Sequence, residues 1–172
     1  SLLETPWVAD AMNENRQKNQ LVLLFDVNRM AYEQQQAVDK LLQRQLPDGG
    51  WAWFPGMPGS RYITQNIVSG FGKLNSIAPN RNLPNALTAS MNRAIQFLDQ
   101  ELVKDYKKML DRKELPNYQL HSMHLNYLYT RSFYPQIELK KDAFEAMRFL
   151  LDHTASDWQK LSLYMKAKAA VV

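Results

Sequence analysis

Gln45-Leu46-Pro47-Asp48-Gly49-Gly50-Trp51 is the stretch on which the reading of this chain turns. Proline removes an amide donor and restricts the residue before it, so Leu46-Pro47 closes the helix that leads into it. Asp48-Gly49-Gly50 is turn chemistry, with positive φ available at no steric cost. Trp51 then folds back onto the core and brings about 150–250 Å² of mostly apolar surface with it. Gln45 both donates and accepts, and at a helix end it ties the turn to a neighbouring element. The string reads as a clip made of a helix end, a tight turn and a hydrophobic anchor. Gln45, Asp48, Gly49, Gly50 and Trp51 are its expected parts, and the expected role is structural. Trp53, Phe54 and Met57 follow in the same irregular segment, which holds three prolines and four glycines between Pro47 and Ser60. They are read either as tucked under the helices or as lining an apolar or carbohydrate-accepting surface.

Outward from the clip the period is helical nearly everywhere. Thr5-Pro6 is a helix start, a hydroxyl cap followed by proline at the first helical position. A short helix to about Met12 and a second over about 16–25 are expected next. Asp26 caps a third, in which Met30, Ala37, Val38, Leu41 and Leu42 share a stripe. Beyond the clip, Ile63, Ile67, Val68, Phe71, Leu74 and Ile77 mark a fourth helix. Gly70 and Gly72 inside it cost about 1 kcal/mol each against alanine, which close helix approach explains. Pro79 to Pro84 reads as a linker. Leu87, Met91, Ile95, Leu98, Leu102, Tyr106 and Met109 mark the longest helix, a Tyr-rich helix spans about 118–133, and Ala143, Phe144, Met147, Leu150 and Leu151 mark a seventh. Ser156 and Gln159 have the spacing of a capping box for an eighth. No alternating run long enough for a strand stands out, so the expected class is all-α. Helix pairs beginning near residues 28, 87 and 141 read as repeated hairpins that stack.

The 172 residues carry 21 basic and 17 acidic side chains, a net charge of +4. Lys and Arg are scattered among acids with no basic run, so a nucleic-acid partner is not expected. Hydrophobic residues make up 45% and charged ones 22%, a globular composition sufficient for one core, and one all-α domain over 1–172 is the expectation. No stretch approaches the ~18 consecutive apolar residues of a membrane helix, and the first residues, Ser1-Leu2-Leu3, have no signal-peptide pattern. They read as the start of an excised piece of a larger protein. Cysteine is absent, which removes disulfides, thiol nucleophiles and thiolate metal sites from this stretch.

Other constellations point to structure more than to chemistry. His121 and His124 stand at i, i+3 without a cysteine or an acid on the same helix, so hydrogen bonding to nearby tyrosines is favoured over metal binding. His153 stands near a helix C-terminus, a favourable dipole position. Asp99, Glu101 and Asp105 interleave with Lys104, Lys107 and Lys108, the pattern of a solvated ion-paired face. Tyr118, Tyr127, Tyr129 and Tyr134 have no basic stripe beside them and read as packing residues. No catalytic group, metal or cofactor is expected.

The clip, with Trp53-Phe54 and then Tyr62-Ile63-Thr64 behind it, resembles the turn of α/α-toroid proteins of the terpenoid-cyclase superfamily. Glu4-Thr5-Pro6-Trp7-Val8, Leu24-Phe25-Asp26-Val27-Asn28, Ser60-Arg61-Tyr62-Ile63-Thr64-Gln65 and Gly70-Phe71-Gly72-Lys73-Leu74 narrow it. Over about residues 4–76 the chain resembles the thioester-domain toroid of the bacterial alpha-2-macroglobulin family, in the long-chain type of Bacteroides-like bacteria. The resemblance implies part of an α/α toroid in a large extracytoplasmic protease trap, a periplasmic or cell-surface endopeptidase inhibitor. Its partners would be other domains of the parent chain and, through the parent, target proteases. In that family a thioester needs a Cys and a Gln within Cys-x-Glu-Gln. This chain has no cysteine, so a non-enzymatic structural role is what the resemblance leaves it. Two other readings compete with it: a toroid enzyme or binding protein acting on a lipid or glycan, and a helical docking module for a partner protein.

Overall fold

A computed structural model describes residues 6–79 and 84–172, with the side chains of the first helix described from Arg16 onward. The chain's described residues are helical in class, with six α-helices and no strand among them. The chain divides into two compact units, residues 1–43 and 44–172.

The first unit is a single helix, α1 (Pro6–Gln43). Thr5, the expected cap, lies outside the described residues. The two short helices and the longer one expected between about residues 6 and 46 are a single helix ending at Gln43. Asp26 does not interrupt it, because no proline or glycine stands between Trp7 and Gln43 to break the backbone ladder. The first helix of the first expected pair therefore begins at Pro6 rather than near residue 28. Side-chain bonds one turn apart run along its second half: Arg29 Nε to Glu33 Oε1 at 2.9 Å and Gln35 Nε2 to Asp39 Oδ1 at 2.9 Å. Leu21 to Phe25, Val27, Met30 and Tyr32 are all more than half exposed.

The second unit holds α2 (Arg61–Ile77), α3 (Asn85–Asp111), α4 (Ser122–Ser132), α5 (Lys141–Asp157) and α6 (Leu163–Ala169). α2 begins where Ser60 Oγ accepts from the Ile63 amide. The central helix is α3, whose Leu87, Met91, Ile95, Leu98, Leu102 and Met109 are buried in the register the periodicity required. α2 and α5 pack on α3, and α4 packs on α2, α5 and α6. The expected capping box is not used. α5 runs on through Ser156, whose hydroxyl donates to the His153 carbonyl, and the cap of α6 is Ser162 Oγ, accepting from the Met165 amide. Lys168 of α6 bonds the Asn126 side chain of α4 and lies 5.3 Å from the Tyr129 ring centroid, which fastens the last helix.

The two glycines of α2 differ. A Cβ on Gly72 would stand 2.6 Å from Phe133 Cβ, whereas a Cβ on Gly70 would meet nothing within 4 Å. Close approach thus explains Gly72 only. Gly70→Ala is expected to stabilise by about 0.5–1 kcal/mol through helix propensity. Gly72→Ala is expected to destabilise by about 1–2 kcal/mol, because overpacking outweighs that gain. Urea unfolding of both variants checks the opposite signs.

α3 ends in a Schellman arrangement, with the Glu114 amide on Met109 O at 2.9 Å and the Lys113 amide on Leu110 O at 3.1 Å. Lys113 sits in the left-handed region, φ +57°, where glycine is the usual occupant. Lys113→Gly is expected to raise stability by about 0.5–1 kcal/mol, read as a higher urea midpoint at unchanged slope.

Candidate functional site

The clip is built as a closed hydrogen-bonded loop laid on α3. The Leu46 amide donates to Gly50 O at 2.8 Å, the Gly49 amide to Leu46 O at 2.9 Å and the Ser60 amide to Trp51 O at 2.8 Å. Asp48 Oδ1 accepts from the Gly50 amide at 2.9 Å, the Asx turn its side chain favours. Gln45 Nε2 donates to both Gly49 O and Ser90 O at 2.9 Å, and Gln45 Oε1 accepts from Arg93 Nη2 at 2.5 Å. One side chain thus joins the turn to α3. Gly49 has φ +93°, and a Cβ there would overlap the Arg93 carbonyl. A Cβ on Gly50 would stand 3.0 Å from the Phe97 ring. Both glycines let the turn backbone lie directly on α3. Trp51 is 3% exposed, and its amide donates to Thr64 Oγ1 at 3.0 Å.

Trp53, Phe54 and Met57 lie on the outside of the same loop. Trp53 stacks on Tyr62, with ring centroids 5.7 Å apart and planes 7° from parallel. Trp53 is 57% exposed and Phe54 67%, so the loop that buries Trp51 presents these side chains to solvent.

The three acids of α3 part company. Glu101 makes the expected surface pair with Lys104 at 2.7 Å. Asp99 and Asp105 instead turn inward, which corrects the reading of a solvated face. Asp99 accepts from Tyr127 Oη at 2.6 Å and faces Arg131 Nε at 3.5 Å. Arg131 in turn donates Nη1 to Tyr134 O and Nη2 to Ile137 O, each at 2.5 Å. Burial raises the Asp99 carboxyl above its usual range, against the Tyr127 bond and the Arg131 charge, and burial likewise raises the Tyr127 phenol. Tyr134 donates to Val68 O at 2.7 Å, and burial pushes its phenol up to about 12.

Asp105 joins a second network. It binds the Arg61 guanidinium of α2 and His124 Nε2 of α4 at 3.2 Å, while His124 Nδ1 lies 2.7 Å from Tyr118 Oη. With Tyr118 donating to Nδ1, the proton on Nε2 points at Asp105. The bond from His124, reinforced by Arg61, holds the Asp105 carboxyl below its usual range, and burial raises the Tyr118 phenol. These groups border a cleft of about 670 Å³ with Lys108, Arg112, Lys113 and His121 on its walls. A second cleft, about 630 Å³, opens beside Asp99 between Gln96, Gln100, Lys104, Glu138 and Asp142. Among the described residues no group of three or more His, Asp and Glu side chains is placed to hold a metal, and no helix is long and apolar enough to cross a membrane.

A signal for the inward acids was present in the sequence. Asp99 stands four after Ile95 and three before Leu102, and Asp105 three after Leu102 and four before Met109, so both occupy core register. Arg61 likewise shares the face of Gln65, Val68 and Gly72. No family model, no curated protein and no solved structure matches the chain.

Proposed function

We propose that this chain is a non-catalytic structural part of an alpha-2-macroglobulin-like endopeptidase inhibitor, one stretch of an α/α toroid in a larger extracytoplasmic polypeptide that entraps proteases by rearranging. The observation that carries the reading is the clip. The motif on which the resemblance rests, Gln45 to Trp51, is bonded to Ser90, Arg93 and Thr64 and so sets the path of the chain over α3. Its residues are consumed by that task.

Two further features support the reading. The inward ionisable groups are bonded within two sets, Asp99 with Tyr127 and Asp105 with His124 and Tyr118. The apolar run Leu21–Phe25 of α1 is exposed on every side of the helix, as expected of a helix that further helices of a ring enclose. With no cysteine here, any thioester would reside elsewhere in the polypeptide.

The test uses the full-length protein that carries this chain, mixed with an endopeptidase and followed by analytical ultracentrifugation. A single cleavage accompanied by a higher sedimentation coefficient of the cleaved chain supports a trap that compacts. Cleavage into separating fragments, with no compaction, overturns the reading. Methylamine treatment with a count of released thiols then tells a covalent trap from one that works by shape.

A further inference from the structure

All three histidines of the chain gather round one tyrosine. The Tyr118 ring centroid lies 6.2 Å from that of His121, 5.7 Å from His124 and 5.1 Å from His153, and His121 lies 3.9 Å from His124. Tyr118 and His121 stand on the connection between α3 and α4, residues 112–121, whereas His124 belongs to α4 and His153 to α5. Phe149 of α5 closes the cluster, 5.1 Å from Tyr118 and 4.2 Å from His153. Ring contacts and the bond from Tyr118 Oη to His124 thus fasten the connection to the two helices, beside the Leu125 amide that donates to His121 O at 3.2 Å.

We propose that this cluster is an acid-sensitive latch, which holds residues 112–121 against α4 and α5 while His121 is neutral and releases them when His121 takes up a proton. Release would open the cleft of about 670 Å³ that the same residues line. This inference is independent of the trap reading.

The charges around His121 explain why protons act outward. Arg61 of α2 and Lys108 of α3 are positive, as are Arg112 and Lys113 of the connection. The negative groups are Asp105 of α3, taken up by Arg61 and His124, and Glu114 of the connection, 3.8 Å from Arg112. A proton on His121 thus finds no free carboxylate, and the His124 ring 3.9 Å away offers it no counter-charge. Burial, then the charges of His124 and Arg61, hold His121 down to about 4. A released His121 would titrate near the ordinary 6.5. The open form therefore binds more protons between those two values, and opening is favoured as pH falls through that window.

Amide hydrogen exchange of the 172-residue chain from about pH 7.5 to about pH 4.5, corrected for the intrinsic pH dependence of exchange, tests the latch. Protection over residues 112–121 is expected to fall by about tenfold or more, as the pKa difference requires, while the amides of 94–102 in α3 keep theirs. In His121→Phe, which keeps a ring but takes no proton, the fall is expected to shrink to below about threefold. If that variant lacks α3 protection at neutral pH, His121→Gln takes its place. Protection in 112–121 that does not change with pH, an equal fall in the variant, or simultaneous loss in α3 would each overturn the latch.

Discussion

Trp51→Ala is expected to destabilise residues 44–172 by about 3–5 kcal/mol, with a fall in melting temperature on the order of 15 °C. Trp51 is the largest apolar side chain of the clip and is 3% exposed. Its backbone is fixed at both ends by the bond to Thr64 Oγ1 and the Ser60 amide, so the truncation leaves a cavity that the loop cannot collapse to fill. Trp53→Ala is the control from the same loop. Trp53 contributes a stack on Tyr62 but is mostly exposed, so its loss is expected to cost about 1 kcal/mol or less. Chemical denaturation of both variants reads the difference. Equal costs, or less than about 1 kcal/mol for Trp51→Ala, would refute an anchoring role and favour a ligand surface.

Arg131→Met is expected to cost about 3–5 kcal/mol near pH 8, because it leaves the Asp99 carboxylate buried without its counter-charge and strips two carbonyls of their donors. The cost should depend on pH in a definite direction. The Asp99 pKa is already raised by burial in the folded protein, so between 3.8 and that raised value the folded state binds the proton more tightly than the unfolded chain. Asp99 therefore subtracts stability as pH rises through its folded pKa. Removing Arg131 raises that pKa further, and the deficit of the variant is expected to shrink as the pH is lowered from 8 towards 5. The double variant Asp99→Leu, Arg131→Met is expected to recover only the part due to the unpaired charge, since the Tyr134 and Ile137 carbonyls stay without donors and Tyr127 Oη loses its acceptor. Parallel urea titrations at the two pH values, with a deficit that grows on acidification, would contradict this.

The elements legible in the sequence were those specified by local chemistry. The Pro-Asp-Gly-Gly string fixed a turn whatever lay beneath it, and the three-and-four spacing of α3 fixed its buried stripe. What was not legible depended on partners distant along the chain. Arg93 and Ser90, which receive Gln45, lie 48 and 45 residues away. Asp99 and Tyr127 are 28 apart, and no local pattern pairs them. Interleaved lysines made the acids of α3 look like one solvated face, although Asp99 and Asp105 fall on its apolar stripe. The opposite error arose in α1. Asp26 read as the cap of a new helix, but a helix continues where no proline or glycine stops it. Ser156 shows the same limit, since a capping spacing takes effect only where the chain has another reason to start a helix.

The entrapment reading turns on whether a bound protease is caged rather than blocked. The assay adds a saturating amount of the full-length protein carrying this chain to an endopeptidase and follows two substrates, a large protein and a short chromogenic peptide. A cage leaves the protease active site open, so hydrolysis of the protein substrate is expected to fall at least about tenfold while the peptide is cleaved at close to its original rate. Equal loss on both substrates, or no loss on either, would contradict a trap and leave the helices of residues 44–172 as a scaffold of some other assembly.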